Sequence, residues 1–415
     1  MRVPRSTGAR VAGVAVAMLI VAEGAVWLLG PREEIPEPVA VDASDYLPAE
    51  RIAAAEDYRS GQRWLMIAGL AIEGAVLAAV ALGRPRPFRR LLDALGRRPI
   101  AGAAAAGVLV ALLTTLVTLP TRVAAHERAV DVGLSTQSLG SWSWDVARSA
   151  GITAVLTGGG TALLIALVRR FPRSWWAPGA AGVTGFAVLF TWIAPVLLAP
   201  VFNDFEPLPE GSRARTDVLN LGERAGVEIG EVYRIDASRR VTSLNAYVDG
   251  IGPTKRVVLY DNLLDEAERA ELNSVVAHEL GHVAHDDIPR GLAFVAIVAP
   301  LGLLFVRELG GAIARRGGAD PASPAAGPAY LLAIAVATFA LGVPGNQLSR
   351  QIEESADWFA LELTDEPRAL IELQRQLAES NLGDPDPPAL VTALFGTHPP
   401  TVERIGAALA YERER

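Results

Sequence analysis

The sequence predicts an α-helical polytopic membrane protein: seven transmembrane helices, a small α+β domain inserted between the fifth and sixth, and a helical C-terminal segment. Hydrophobic residues make up 51% of the 415-residue chain and the mean hydropathy is +0.28, which is too apolar for a set of soluble domains. Seven apolar stretches are long enough, or nearly so, to cross a hydrocarbon core that needs about 20 helical residues. A polar segment separates the fifth stretch from the sixth.

The apolar stretches define the domain organisation. They run near residues 11–30, 64–82, 100–119, 149–168, 177–199, 292–306 and 328–345. The first follows three arginines as a signal peptide would, but its apolar run is long and Gly30-Pro31-Arg32-Glu33 is a poor cleavage site, so we expect an uncleaved anchor. The predicted parts are a five-span membrane domain (1–200), an α+β domain (201–290), two further spans (291–345) and a C-terminal helical segment (346–415).

Two glutamates interrupt the apolar spans, Glu23 in the first and Glu73 in the second. A carboxylate at membrane depth costs several kcal/mol unless it faces protein or water. Two interpretations remain open: both residues line an internal aqueous cavity, or each makes a neutral hydrogen-bonded contact between helices.

The composition limits which metal ligands and binding partners the chain can have. The chain has no cysteine, which excludes thiolate ligands, a cysteine nucleophile and disulfides, so His, Asp and Glu remain as metal ligands. A net charge of −8, with Lys255 as the one lysine, argues against nucleic-acid binding. The alanine- and arginine-rich composition is typical of a bacterium with a GC-rich genome, and we therefore expect a multi-pass protein of a bacterial plasma membrane.

The inserted segment shows a helical pattern at 213–225, short β-like runs at 232–235, 245–248 and 256–260, and a second helical pattern at 263–287. Asp265 is a plausible N-cap for that second helix. Together the small sheet and this helix are typical of a zincin core.

The second helix carries an HExxH motif, His278-Glu279-Leu280-Gly281-His282. On a helix the two histidines lie only about 40° apart, so both rings can bind one metal ion. Glu279 lies beside them, where it can take a proton from a water polarised by zinc and pass it to a leaving amine. The alternative, two solvated histidines on an exposed helix, conflicts with an apolar packing face formed by Leu272, Val275, Val276, Leu280 and Val283.

Catalytic zinc usually has three protein ligands and a water, so one ligand is missing. The candidates are His285, His398 and a carboxylate. His285 lies one turn beyond His282, where a straight helix carries it away from the metal, which favours an indirect or solvated role.

A carboxylate from the segment 350–357 is the better candidate, because the motif helix ends just before the sixth span and this segment begins just after the seventh. An antiparallel pair of spans returns its outer ends to one membrane surface. Glu353 and Asp357, at i and i+4, then present a ligand and an acceptor for a ligand's N–H on one face. The alternative is a charge cluster in which Arg350 pairs with Glu354.

These residues resemble the CAAX prenyl protease 1 family, seven-span zinc endopeptidases whose site lies at the mouth of a chamber inside the membrane. The resemblance runs from about Pro200 to Arg404, and span count and placement agree with it. It rests on Ala199 to Asn203 with Phe205, Pro207 and Leu208, Ser243 to Tyr247, Lys255 to Leu259 with Asp261, Leu263 and Leu264, His278 to His282, Arg350, Glu353, Ala356, Asp357, and Thr397 to Pro399.

The resemblance implies a role for each of these site residues. The zinc ligands would be His278, His282 and Glu353, and Glu279 would be the base. Other implied roles are orientation of a ligand histidine (Asp357), oxyanion stabilisation (His398), ordering of the site (Arg404) and pairing of an edge strand with an extended substrate (Asn245, Ala246, Tyr247).

The leading hypothesis is therefore a membrane-embedded metalloendopeptidase with one Zn²⁺ per chain, cutting peptides or membrane-associated proteins in the lipid bilayer. The alternatives are a transporter with a structural zinc site and a catalytically dead scaffold. Glu279 argues against both, because a structural site needs no adjacent base and fills its fourth position with protein.

Charge in the loops predicts the orientation. The N-terminal tail and the loops near 83–99, 169–175 and 307–316 hold far more arginines than the loops near 31–63 and 120–148. The positive-inside rule then places the N-terminus in the cytoplasm and the zinc domain outside. Resemblance to the eukaryotic family would place that domain in the cytosol, so the two arguments disagree, and we favour the charge rule.

Overall fold

Among the residues that the structure describes, seven long apolar helices form the membrane part of the protein, as the sequence predicts. The computed structural model describes residues 5–83, 91, 94, 96–250 and 255–415. The first five of these helices precede the inserted domain: α1 (Arg5–Leu29), α2 (Ala49–Ala78, extended by a π-turn at Ala79–Gly83), α3 (Pro99–Asp131), α4 (Leu139–Arg170) and α5 (Trp176–Ile193, extended by a π-turn at Ala194–Leu198 and the short α6, Ala199–Phe202).

The inserted domain is a four-stranded sheet packed against helices. Its elements are β1 (Phe205–Pro207), α7 (Arg213–Arg224), β2 (Glu231–Ile235), β3 (Ala246–Asp249), β4 (Arg256–Tyr260), α8 (Asp261–Glu266) and α9 (Arg269–Ala284). The strand order is β1-β2-β4-β3, with β2 and β4 parallel and the other pairs antiparallel. The order makes β3 an edge strand. The predicted strands are present, and β1 adds a fourth at the opposite edge.

The motif helix begins later than the sequence predicts. Instead of one helix from residue 263 capped by Asp265, the chain forms α8 and then α9. The break occurs because Glu268 caps α9: its side chain accepts from the Glu271 N–H, and the Glu271 carboxylate accepts from the Glu268 N–H at 2.9 Å. The predicted apolar face is buried, with Val276 and Leu280 fully inaccessible to solvent.

Two more spans and three shorter helices complete the chain. They are α10 (Asp287–Arg316), α11 (Gly327–Thr364), α12 (Pro367–Ser380), α13 (Ala389–Phe395) and α14 (Thr401–Glu414). Residue 346 lies inside α11, so the seventh span and the segment with Glu353 are one continuous helix of 38 residues, about 57 Å long. Such a helix is long enough to cross the membrane and continue into the polar domain.

One hydrophobic core unites the inserted domain with the C-terminal segment. Leu259 of β4, Val276 of α9, Leu361 of α11, Leu373 of α12 and Ala408 of α14 all belong to it, and each is almost completely buried. Two distant parts of the sequence therefore fold as a single domain around α9.

The membrane glutamates have different surroundings. Glu23 is exposed, whereas Glu73 is half-buried and lines a cavity of about 450 Å³ between α2 and α3. Threonines and Arg122 share this cavity, and Arg122 also lines a neighbouring cavity of about 590 Å³. Glu73 thus lies in a shallow groove of mixed polar and apolar lining, which leaves both interpretations open for this residue.

Several of the arginines counted for the orientation lie together at one end of the bundle, among them Arg10, Arg307, Arg315 and Arg316. Arg10 Nε lies 3.9 Å from Glu308 Oε2, so the start of α1 and the C-terminal part of α10 share the end remote from the HExxH helix. Four of the arginines counted for the orientation, at positions 84, 86, 89 and 90, lie outside the described residues.

We predict that alkaline phosphatase fused after Arg415 is active, because the charge rule places this end of the chain outside the cytoplasm. A fluorescent protein that matures only in the cytoplasm, fused at the same position, serves as the matched control. Strong cytoplasmic fluorescence with an inactive phosphatase would refute the orientation.

Candidate active site

Three predicted ligand side chains converge between α9 and α11. Glu353 lies with Oε2 3.2 Å from His278 Nε2 and Oε1 3.6 Å from His282 Nε2. His278 and Glu353 are buried. Gly281 permits this approach, because a Cβ there would lie 3.2 Å from Ala356 Cα, and Ala356 is itself fully buried. The HExxH helix and the seventh span thus meet through small residues.

The spacing fits a metal ion. Ligand atoms about 2.05 Å from a tetrahedral zinc lie about 3.3 Å from one another, close to the separations between Glu353 and the two histidines. Glu353 Oε2 is buried, and neither His278 nor His398, 3.4 Å away, has the geometry of a hydrogen bond to it. A buried carboxylate oxygen without a hydrogen bond is costly, and a cation would satisfy it.

Asp357 and Arg404 fix the orientation of the His278 imidazole ring. Asp357 Oδ1 lies 2.8 Å from His278 Nδ1, which leaves Nε2 directed at Glu353. Arg404 of α14 donates two hydrogen bonds to the same carboxylate, each 2.6 Å long. Burial lowers the pKa of Arg404, but the Asp357 charge outweighs it and raises that pKa. Three helices therefore fix one histidine through a carboxylate, as in many metal sites.

The second histidine is fixed by a residue that the sequence pattern did not indicate. Asp287 Oδ2 lies 3.0 Å from His282 Nδ1, so His282 also presents Nε2 to the centre. Asp286, with φ of 55°, is in the left-handed region, which reverses the chain between α9 and α10 and brings Asp287 back to the histidine. In the sequence, the pair Asp286-Asp287 directly after the motif was the feature that could have indicated this contact.

Glu279 lies with both histidines in a group whose possible ligand atoms are all within 4.8 Å of one another. Burial raises the pKa of Glu279, while the two imidazoles lower it by a smaller amount. For His278, burial lowers the pKa, but the nearby carboxylates of Asp357 and Glu353 outweigh it and raise the pKa to about 10. A cation at this site must therefore displace a proton, and its affinity should fall in acid.

His398 lies at the open side of the site, with its side chain 57% exposed and Nδ1 2.9 Å from Thr397 Oγ1. Arg350 binds the loop that leads to His398. It does not pair with Glu354, which was the alternative considered from the sequence. It donates hydrogen bonds to the carbonyl oxygens of Thr392, at 3.0 Å, and Gly396, at 2.6 Å. Glu354 is exposed, one residue from the buried Glu353.

His285 points away from the centre, as the sequence argument expects. Its Nδ1 lies 3.0 Å from Ser355 Oγ, and its Nε2 lies 3.4 Å from Glu33 Oε1. Ser355 Oγ also donates to Glu33 Oε2 at 3.0 Å. Glu33, from the loop after α1, therefore joins the end of α9 to α11 just beyond Glu353. Nothing in the sequence pattern pointed to this contact.

The predicted substrate strand lies at the sheet edge. Tyr260 donates to the Asn245 carbonyl at 3.1 Å, and Ala246 is in register with Leu259. Because hydrogen-bonded and free pairs alternate in antiparallel strands, the Ala246 N–H and C=O point away from β4. Asn245 Oδ1 accepts from that N–H at 3.0 Å. Tyr247, the next residue, is half-buried on the opposite face from Ala246.

Seven membrane-spanning helices combined with this constellation on an α+β core define a membrane metalloprotease. Comparisons with known proteins agree. Residues 31–204 match the model of the CAAX prenyl protease N-terminal domain, five membrane helices, and residues 212–412 match the model of peptidase family M48. The chain therefore combines a peptidase family M48 domain with the N-terminal membrane domain of the CAAX prenyl proteases.

Individual relatives support the assignment. The chain is 28% identical over 391 residues to the uncharacterized metalloprotease YhfN of Bacillus subtilis, covering 91% of each chain. It is 34% identical to a CAAX prenyl protease 1 homolog of Arabidopsis thaliana, over 52% of this chain and 51% of the relative. The fold resembles the crystal structure of S. mikatae Ste24p, with a TM-score of 0.79 at 20% identity, over 98% of this chain and 100% of the other.

Proposed function

We propose that this protein is a zinc metalloendopeptidase that cuts peptides or membrane-associated proteins at the membrane surface. The observation that carries the proposal is the convergence of His278 Nε2, His282 Nε2 and the Glu353 carboxylate at separations of 3.2 and 3.6 Å, beside Glu279. These three side chains would hold one zinc ion per chain. When bound, zinc would lower the pKa of a water molecule and polarise the scissile carbonyl.

The remaining steps belong to the side chains around the ligands. Glu279 accepts a proton from the attacking water and later delivers it to the leaving amine; its raised pKa suits both tasks. His398, on the open side, donates a hydrogen bond to the oxyanion that forms on the scissile carbonyl. Asp357 and Arg404 hold the His278 ring in place, and Asp287 does the same for His282.

The edge strand binds the substrate backbone. Ala246 offers an outward N–H and C=O, so an extended peptide adds to the sheet as a further strand. In the structure, the Ala246 N–H donates to Asn245 Oδ1. On substrate binding, this N–H would instead donate to a carbonyl oxygen of the peptide. Tyr247 flanks the peptide on the other face of the sheet. Main-chain recognition of this kind tolerates many sequences, which fits a peptidase with broad preference.

The test is cleavage of quenched peptides by purified protein in lipid nanodiscs, with zinc measured on the same sample. Cleavage that depends on zinc supports the peptidase. Bound zinc without cleavage of any peptide or membrane-protein substrate would favour the alternative, a transporter or scaffold with a structural zinc site.

The positioning role of Glu33 can be tested separately. We expect Glu33→Gln to lower the cleavage rate several-fold with zinc content unchanged, because the carboxylate positions the ends of α9 and α11 without touching the site. The matched control is Glu34→Gln, since Glu34 is an exposed neighbour in the same loop. The decrease should appear in kcat rather than KM. If both variants keep the full rate, Glu33 has no positioning role.

A further inference from the structure

A second cavity lies at the opposite end of the membrane bundle from the metal site. It has a volume of about 580 Å³ and is enclosed by α1, the turn between α4 and α5, the last third of α10 and the segment leading into α11. None of its lining residues belongs to the site described above.

The cavity is strongly basic. Arg10, Arg307, Arg315 and Arg316 line it, whereas the acidic lining consists of Glu308 and Asp320. The buried Glu308 is neutralised within the protein: its carboxylate oxygens lie 3.1 Å from Arg307 Nη1 and 3.9 Å from Arg10 Nε. Within the described ranges, Arg315 and Arg316 form no ion pair with an acidic side chain. Two guanidinium groups against one remaining lining carboxylate, Asp320, thus leave a net positive charge for an external anion.

One of these two arginines is directed into the cavity by the helix itself. Arg315 Nη1 lies 3.2 Å from the position that a Cβ on Gly311 would occupy. The guanidinium therefore lies over a glycine one turn earlier in α10, although Arg315 remains exposed to solvent. Any larger residue at 311 would displace it.

The cavity also has an apolar wall. Trp175 is 2% exposed and packs edge-to-face on Tyr330, with 5.7 Å between ring centroids, and Val168 and Ala312 extend the apolar surface. Tryptophan and tyrosine are typical of the interface between lipid and water. The cavity thus has guanidinium groups on one side and, on the other, an apolar wall whose rings are themselves almost completely buried.

The position of the cavity across the bilayer matches the position of a lipid headgroup. The 30 residues of α10 run from Asp287, beside His282, to Arg316, a distance of about 45 Å, comparable to a bilayer with its headgroups. Arg315 and Arg316 therefore lie in the headgroup layer opposite the metal site, and Arg307 lies about 13 Å deeper. An inorganic phosphate would use the arginines but not the apolar wall, whereas a phospholipid would use both.

We propose that this cavity binds the phosphate of an anionic phospholipid, with the acyl chains along the surface of α1 and α10. Basic pockets between transmembrane helices recognise such headgroups, and each arginine near an anionic surface contributes about fivefold in affinity. The inference is independent of the peptidase proposal.

The test is native mass spectrometry of the full chain titrated with phosphatidylglycerol or, separately, phosphatidylcholine. We expect one tightly held phosphatidylglycerol and about 30-fold weaker binding in the double variant Arg315→Gln with Arg316→Gln. The control is Arg170→Gln with Arg173→Gln, which removes the same charge from exposed residues at the same end of the bundle but outside the cavity, and should change the affinity by less than twofold. Ala312→Phe keeps every charge but fills the cavity, and should also abolish tight binding.

Four results would overturn the proposal. Equal weakening in the control variant would mean a general surface-charge effect, and equal binding of phosphatidylcholine would mean no headgroup selectivity. Displacement of the lipid by millimolar inorganic phosphate, itself bound as tightly, would identify a free-phosphate site. Persistence of tight lipid binding in Ala312→Phe would likewise place the lipid outside the cavity.

Discussion

Glu279→Gln is expected to retain zinc and to lose about 10²–10⁴-fold in peptide cleavage, because the ligand set is untouched while the group that moves the proton is lost. Glutamine has nearly the same shape as glutamate but cannot accept a proton at neutral pH. Because the pKa of Glu279 is raised by burial, replacing this carboxylate with a neutral amide should not destabilise the fold.

The measurements are the cleavage rate, the zinc content and the thermal unfolding of the same preparation. Glu266→Gln is a matched control, since Glu266 is an exposed residue of the neighbouring helix α8. Full activity in Glu279→Gln would remove this residue from the mechanism. Loss of zinc in that variant would instead make it a ligand.

Glu353→Gln and Glu354→Gln are expected to differ sharply, although the two residues are adjacent. Glu353 faces both histidines, so its replacement should weaken zinc binding by more than about 100-fold, beyond the cost of losing a residue that only supports a ligand. Glu354 is exposed, and its replacement should cost at most about 1 kcal/mol of stability.

Zinc remaining after dialysis against a weak chelator distinguishes the two variants. The pair is its own control, because each variant removes one carboxylate from the same turn of α11. Should Glu354→Gln be the one that empties the site, the ligand assignment would be wrong by one residue and α11 would have to be rotated by about 100°.

Local periodicity accounts for the parts of the protein that were predicted well. The seven spans follow from runs of apolar residues, and the HExxH geometry follows from helical spacing alone. The approach of Glu353 to the motif follows from topology, since α10 and α11 form an antiparallel pair that returns to one surface. Helix ends were less predictable: α11 continues past the bilayer because its polar residues still favour a helix.

The supporting residues escaped prediction for physical reasons. Asp287 reaches His282 only because Asp286 adopts a left-handed backbone conformation, which helical spacing does not describe. Glu33 meets Ser355 across 322 residues of sequence, and no periodic pattern signals such a contact. The strand β1 has three residues and ends in a proline, too little for a β pattern. These contacts depend on the packed fold rather than on local sequence.

Titration of metal-free protein with zinc, followed by peptide cleavage, tests whether a single bound zinc ion makes this protein a peptidase. We expect the cleavage rate to rise linearly to one zinc per chain and then to stay constant, because His278, His282 and Glu353 form a single site. In the same titration of Glu353→Gln, the cleavage rate should not rise over this range of zinc concentrations. Cleavage by the metal-free protein at the full rate, or zinc bound at one equivalent without any cleavage, would contradict this expectation.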